Sequence, residues 1–103
     1  MKKVIVGTLI FLVACTAASK VLKPTMEQLP AMQQKVPDIT LERAGQGYTI
    51  YKHKCSGCHR LYAASEHTAA QWDGILIKMF PKAKVHDETS QSLIVDYLHA
   101  LSK

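Results

Sequence analysis

The sequence predicts a small all-α fold, and three observations support this class. Apolar residues recur at helical spacing in three stretches after residue 40. A polar residue able to cap a helix precedes each stretch, and no stretch alternates apolar and polar residues over a useful length. The chain has 103 residues, which sets a ceiling of one small domain.

The first predicted helix begins at Leu41 and runs up to Cys55. Thr40 can cap its start, with Glu42 in the first turn. Its apolar face consists of Leu41, Ala44, Tyr48 and Tyr51.

The second predicted helix begins near Thr68, whose hydroxyl can form a capping box with Gln71. We expect Pro81 to end it. Its apolar face consists of Trp72, Ile75, Leu76 and Met79.

The third predicted helix starts between Asp87 and Ser90, with acidic residues at its positive dipole end. It closes the chain. Its apolar face consists of Leu93, Ile94, Tyr97, Leu98 and Leu101.

The first fourteen residues have the pattern of a secretory signal. Lys2 and Lys3 form a positive segment, and the stretch from Val4 to Ala14 is almost wholly apolar. This stretch is too short to span a bilayer. We therefore assign residues 1–14 to a signal peptide that is absent from the mature protein.

The run Leu12-Val13-Ala14-Cys15 resembles the lipobox of bacterial lipoproteins. Cleavage before the cysteine would leave Cys15 as an acylated first residue, and several acyl chains would anchor the protein firmly. The alternative is an ordinary signal peptide that is cut after Ala17 or Ala18.

Residues 15–40 are interpreted as a lipidated N-terminus followed by a proline-containing tether. Pro24, Pro30 and Pro37 interrupt this segment, and no sustained helical period is evident. A flexible coil of this length spans about 25 to 30 Å. Its apolar residues, among them Met26 and Met32, can lie against the domain as an extended strap, so the tether is only partly free. The domain itself is assigned to residues 41–103.

About sixty residues remain for the three helices, which is near the size below which a protein core struggles to stabilise itself. Three short helices alone would be marginal. We therefore expect a large apolar group to fill the middle of the domain.

The run Cys55-Ser56-Gly57-Cys58-His59 identifies that group as haem c. The thiols of Cys55 and Cys58 are spaced to add across the two vinyl groups of one haem, and His59 can reach the iron from the proximal side. Ser56 and Gly57 are small enough to let the backbone approach the porphyrin edge.

Three rival interpretations of the cysteine pair are less well supported. A thioredoxin-like motif requires a βαβ frame, and a structural zinc site requires a fourth protein ligand. A disulfide between Cys55 and Cys58 is chemically possible, but it leaves the adjacent histidine and the underfilled core unexplained.

The segment Gly47-Tyr48-Thr49-Ile50-Tyr51-Lys52-His53-Lys54-Cys55-Ser56-Gly57-Cys58-His59 resembles the first helix of bacterial class I cytochromes c. The resemblance covers residues 41–103 and implies a three-to-four-helix cytochrome c fold around one covalent haem. It also implies that Gly47 permits a close crossing with the C-terminal helix, where Tyr97 and Leu98 match the family's aromatic and leucine pair. The interval between His59 and Met79 is shorter than in many relatives.

Met79 is the expected distal ligand of the haem iron. It is the only methionine after the haem motif, and it lies on the apolar stripe just before Phe80. The spacing from Met79 to Tyr97 is similar to that in small cytochromes c. The alternatives are that Met79 only fills the core, and that His67, His86 or nothing binds the iron. His53 and His99 are expected to face solvent.

The charge balance of the chain is mildly basic, with a formal net charge of +5. Removal of the signal peptide leaves 11 basic and 8 acidic residues, which excludes the dense basic stripe of a nucleic-acid binder. Several basic residues lie near the haem-bearing segments, where they can attract an acidic redox partner or simply be solvated. They are Lys52, Lys54, Arg60, Lys78, Lys82 and Lys84.

These features predict a membrane-tethered, one-electron carrier of the bacterial cell envelope that faces the periplasm and transforms no substrate. Thr16 after the lipid-bearing cysteine favours the outer membrane where one exists. The competing functions are a haem sensor or gas-binding module with an open distal site, and a haem subunit of a larger redox enzyme.

Overall fold

Four helices and two short turns make up the part of the chain that the computed structural model describes, residues 21–57 and 60–103. Cys58, His59, the predicted signal peptide and Cys15 lie outside these residues. The helices are α1 Leu29–Lys35, α2 Leu41–Cys55, α3 Ala69–Lys82 and α4 Glu88–Ala100, with 3₁₀ turns at Met26–Gln28 and Ala64–Glu66. The described residues contain no strand, so the all-α prediction is confirmed.

The three helix starts that the sequence predicts are confirmed by their caps. Thr40 Oγ1 accepts a hydrogen bond from the first turn of α2 at 3.1 Å. Thr68 and Gln71 form the reciprocal capping box of α3. The Asp87 carboxylate accepts a hydrogen bond from the Ser90 N–H at 2.8 Å, and its bonds to Ser90 lower the pKa of Asp87. Local sequence therefore determines where these helices begin.

The end of α3 differs slightly from the prediction, because the helix passes through Pro81 and ends at Lys82. A proline inside a helix removes one hydrogen bond and crowds the carbonyl four residues earlier, but here only Lys82 follows before the helix ends, and the Ala83 N–H still bonds the Met79 carbonyl. The chain turns at Lys84, which adopts a left-handed φ of 58°. The Val85 N–H then donates to the Phe80 carbonyl at 2.9 Å, as in a Schellman cap.

The N-terminal segment is more ordered than the sequence analysis predicts. Residues 29–35 form α1, in which Pro30 occupies the first turn, where a proline starts a helix without cost. Met32 is completely buried and Ile39 is 1% exposed, and both pack with Ala44 and Ala100 in a second core cluster. The segment therefore packs against the domain, as the sequence analysis allowed for Met32, but residues 29–35 are helical rather than extended. The packed domain begins well before residue 41.

The C-terminus is tied to this segment and to the loop before α3. The Lys35 ammonium donates a hydrogen bond to the carbonyl of Ser102. The Lys103 N–H donates to the His67 carbonyl at 2.9 Å. These bonds join the first helix and the last residues to the segment that leads into α3.

Helices α2 and α4 cross at Gly47, where the two backbones nearly touch. A Cβ atom at Gly47 would lie 2.6 Å from the Tyr97 Cβ and would also clash with the backbone carbonyl of Leu93. The close crossing expected for Gly47 is therefore confirmed. Next to it, Arg43 on α2 forms an ion pair of 2.7 Å with Asp96 on α4.

We predict that Gly47→Ala lowers the free energy of unfolding by about 2 kcal/mol or more, because the added methyl group meets rigid backbone and pushes the helices apart. Gly45→Ala is the matched control on the same helix, since nothing lies within 4 Å of its added Cβ. This control should raise stability by about 0.5 to 1 kcal/mol through helix propensity alone. Urea denaturation followed by circular dichroism measures both. Equal effects of the two substitutions would contradict the role assigned to Gly47.

Candidate functional site

A cavity of about 290 Å³ opens between the end of α2, the loop after it and the inner face of α3. This volume lies at the lower end of the range for cofactor sites, about 300 to 1,000 Å³. Most of its surface is apolar. The lining residues are Tyr51, Cys55, Leu61, Tyr62, His67, Trp72, Ile75, Leu76 and Met79.

Cys55 is the only residue of the predicted haem-binding set, Cys55, Cys58 and His59, that lies within the described part of the chain. It is the last residue of α2, its side chain is buried, and it lines the cavity. The assignments of Cys58 and His59 stay predictions. The helix thus delivers the first cysteine of the motif to the wall of an apolar cavity.

Tyr51 lies one turn before Cys55 and connects the cavity to the core. Its hydroxyl donates a hydrogen bond of 2.5 Å to the Tyr62 carbonyl, and its ring packs against Tyr97 and Trp72 at centroid distances of 5.8 and 6.1 Å. Burial raises the pKa of Tyr51, and the nearby Cys55 acts in the same direction. Tyr51 therefore stays protonated and holds the loop after the motif against α2.

Trp72 holds the next part of the loop from the other side of the cavity. Its indole N–H donates a hydrogen bond of 2.8 Å to the Ala64 carbonyl. Within the same turn, the Glu66 carboxylate accepts a hydrogen bond from the Ala63 N–H at 2.6 Å and pairs with Arg60 at 3.0 Å. The Ala63 bond, followed by that from Arg60, lowers the pKa of Glu66. Both ends of the 3₁₀ turn are thereby fixed.

Met79 and His67 both line the cavity, whereas His86 is exposed and does not. Met79 is half-buried on the same face of α3 as Ile75, which agrees with the predicted stripe. Its binding to iron stays a prediction. Of the three distal candidates named from the sequence, the structure brings two to the same cavity.

His67 is the lining residue whose position the sequence analysis least anticipates, because a surface or capping position is the commoner fate of such a histidine. Its ring packs edge-on against Trp72 at 4.9 Å and against Tyr62 at 5.6 Å. One signal in the sequence could have placed His67 at the cavity: it directly precedes the cap residue of α3 and lies five residues before Trp72. Leu61 and Tyr62 carried no periodic signal in the sequence and enter the site only through the loop.

The remaining polar candidates lie on the surface. His53 is exposed, as predicted. His99 is not simply solvated, because its Nε2 lies 2.6 Å from the Asp73 carboxylate and only 26% of its side chain is exposed. The six basic residues considered as a docking rim, Lys52, Lys54, Arg60, Lys78, Lys82 and Lys84, are all exposed.

The residues that line the cavity are compatible with a haem, whose ligand requirements differ from those of a bare metal ion. Across residues 21–57 and 60–103, no three His, Cys, Asp or Glu side chains are placed to hold a metal ion. A haem needs no such cluster, because the porphyrin supplies four nitrogens and the protein adds single axial ligands. The cavity offers an apolar wall, one thiol of the attachment motif, and two side chains able to bind iron.

Comparison of the chain with protein-family models, curated proteins and solved structures finds no match. Within the described residues, no helix has the length and apolar character needed to cross a membrane.

We predict that Tyr51→Phe lowers the free energy of unfolding at pH 7 by about 1 to 2 kcal/mol, because the Tyr62 carbonyl loses its hydrogen-bond donor. Tyr48→Phe is the control, since Tyr48 lies on the same helix but does not line the cavity. The pH dependence supplies a second readout. A tyrosine whose folded pKa is raised stabilises the fold fully below about pH 10 and loses that contribution as the pH rises through the folded pKa.

Above pH 10, the free energy of unfolding of the wild-type protein should therefore fall more steeply than that of Tyr51→Phe. In the variant, Tyr97, with a pKa of about 12, still contributes in this way. Urea titrations between pH 8 and pH 11 measure the two slopes. Parallel curves would show that the Tyr51 hydroxyl does not contribute as argued.

Proposed function

We propose that this protein is a monohaem c-type cytochrome that carries single electrons in the bacterial cell envelope. The observation that supports this most directly is the position of Cys55. The first cysteine of a Cys-x-x-Cys-His run lies on the wall of an apolar cavity whose lining also includes Met79. A buried thiol beside an apolar cavity of this kind suits the attachment of a large, flat, apolar cofactor.

Four residues would hold the haem. Cys55 and Cys58 would form thioether bonds, His59 would bind the iron on the proximal side, and Met79 would bind it on the distal side. Bound there, haem c would supply a reversible one-electron iron couple. A thioether ligand raises the reduction potential relative to a second histidine, which suits a carrier of the cell envelope.

The other cavity residues have supporting roles in this proposal. Trp72 and Leu76 are buried and line the cavity, so they would keep water from a bound haem. Tyr51 and Trp72 hold the loop beside the cavity through their hydrogen bonds to Tyr62 and Ala64. These contacts would limit movement of the loop when the iron changes its oxidation state. We assign no catalytic residue and propose that the chain is not an enzyme by itself.

The exposed basic residues indicate the class of redox partner that this protein would bind. Lys52 and Arg60 border a shallow groove beside the end of α2, and Lys78 borders another beside α3. These positive charges surround the segments that carry the haem ligands, so they would steer an acidic redox protein toward this end of the molecule.

The proposed location is the periplasmic face of a membrane, to which lipid on Cys15 would anchor the mature chain. Thr16 favours the outer membrane. Redox proteins of the same compartment are the proposed electron donor and acceptor.

We predict that the purified protein retains its haem through acid-organic extraction and denaturing electrophoresis, because thioether bonds survive conditions that dissociate iron ligands. Cys55→Ala combined with Cys58→Ala should leave the domain largely unfolded, since a core of this size loses its central group. Haem staining of the gel and circular dichroism measure the two effects. A band without haem would refute the cytochrome proposal.

We predict that Met79→Ala abolishes the weak near-infrared sulfur-to-iron band of the oxidised protein, lowers the reduction potential and lets carbon monoxide bind the reduced iron. Met26→Ala is the matched control, because Met26 is exposed and lies outside the cavity. His67→Ala tests whether His67 is the distal ligand instead. If Met79 binds the iron, this variant keeps the near-infrared band.

Optical spectra with and without carbon monoxide, together with a redox titration, read out these variants. If His67→Ala gains carbon monoxide binding and Met79→Ala does not, His67 rather than Met79 is the distal ligand of the iron. Ready binding by the wild-type protein would favour the sensor or gas-binding function.

A further inference from the structure

The chain joins the folded domain much closer to the proposed lipid than the sequence suggests. Val21 is half-buried and packs against the main core cluster, and Pro24 is buried. The chain then continues directly into the first 3₁₀ turn and α1. Any tether between the proposed lipid and the packed domain is therefore limited to the residues between Cys15 and Val21, rather than extending over residues 15–40.

This short connection limits how the domain can sit on a membrane. Six Cα steps separate Cys15 from Val21, and fully extended they span at most about 22 Å. A domain of this size is about 30 Å across. Because the tether is shorter than the diameter of the domain, the side of the domain opposite Val21 cannot reach the lipid. Val21 therefore stays within about 22 Å of the proposed anchor.

That surface carries exposed apolar side chains. Within the described residues, the large apolar side chains that remain exposed are Leu22, Met26 and Ile77, at 72%, 64% and 75%. Two of these three belong to residues 21–28, which we call the N-terminal strap, and the third lies on α3. Single exposed apolar residues are ordinary, but a pair beside a membrane anchor suits insertion among lipid headgroups.

The strap itself carries one basic side chain, Lys23, and one acidic side chain, Glu27, so its formal charge is zero. Lys23 lies next to Leu22 and is exposed, and basic side chains near the anchor are attracted to anionic headgroups. Glu27 is the only acidic residue between Cys15 and Lys35, a stretch that contains Lys20, Lys23 and Lys35.

The strap also lies along α2, the helix that ends at the cavity. Lys23 and Pro24 border a groove that extends along α2 from Leu41 to Ile50, whereas Cys55 is its last residue. The five steps from Ile50 to Cys55 correspond to about 7.5 Å along the helix axis. Contact of the strap with lipid would therefore hold α2, and with it Cys55, in one position relative to the membrane.

We propose that the N-terminal strap lies on the bilayer through Leu22, Lys23 and Met26, so that the domain has a fixed orientation on the membrane. This inference rests on the proposed lipid anchor at Cys15. It replaces a freely swinging carrier with one that presents a single face to its redox partners.

The experiment uses the full lipoprotein reconstituted into vesicles of phosphatidylcholine and phosphatidylglycerol. A fluorophore is attached to single cysteines introduced as Leu22→Cys or Met26→Cys, with Ile77→Cys as the equally exposed control. Brominated lipids quench only fluorophores that contact the bilayer. We expect an about twofold or larger loss of fluorescence at positions 22 and 26 and no loss at position 77. Wild-type protein treated with the same reagent reports any background from Cys55 and Cys58.

Intact mass of the same preparation separates the two proposals. Lipid on Cys15 together with unquenched labels at positions 22 and 26, or with equal quenching at position 77, would overturn the fixed orientation and leave the anchor intact. A mature chain without lipid would overturn both.

Discussion

Contact between α2 and α4 at Gly47 is the constraint on which the rest of this molecule depends. The two helices approach so closely that no side chain fits at Gly47, and Tyr97 lies directly against it. Packing of Tyr97 on Tyr51 extends this contact along α2 to within one turn of Cys55. The position of Cys55 at the end of α2 therefore depends on the helix crossing at Gly47, two turns earlier.

The cavity next to this crossing is held by a few specific hydrogen bonds rather than by regular structure. Tyr51 and Trp72, from α2 and α3, each donate to a backbone carbonyl of the intervening loop. Buried donors of this kind are costly to leave without acceptors, so the loop has one favourable position. The proposed haem would add covalent bonds close to these contacts, and folding and cofactor binding would then support each other.

Much of the helical framework follows from local sequence, as the caps at Thr40, Thr68 and Asp87 show. Capping depends on residues three positions apart, which the sequence displays directly. Helix α1 was not predicted because Pro30 and Pro37 are typical of a turn-rich segment. In addition, the residues that pack against Met32 lie far away in the chain. The position of His67 was missed for the same reason, since its contacts with Trp72 and Tyr62 depend on how the loop folds back over α3.

The sequence by itself determined the helix starts, the all-α class and the close contact expected at Gly47, and it is the source of the proposal that haem binds at Cys55, Cys58 and His59. These depend on residue type and on spacing over a few positions. Only the tertiary structure decided that Met79 and His67 share one cavity with Cys55, and that residues 21–39 belong to the packed domain. Such features arise from contacts between residues distant in the chain, where packing and burial, rather than local conformational preference, select the arrangement.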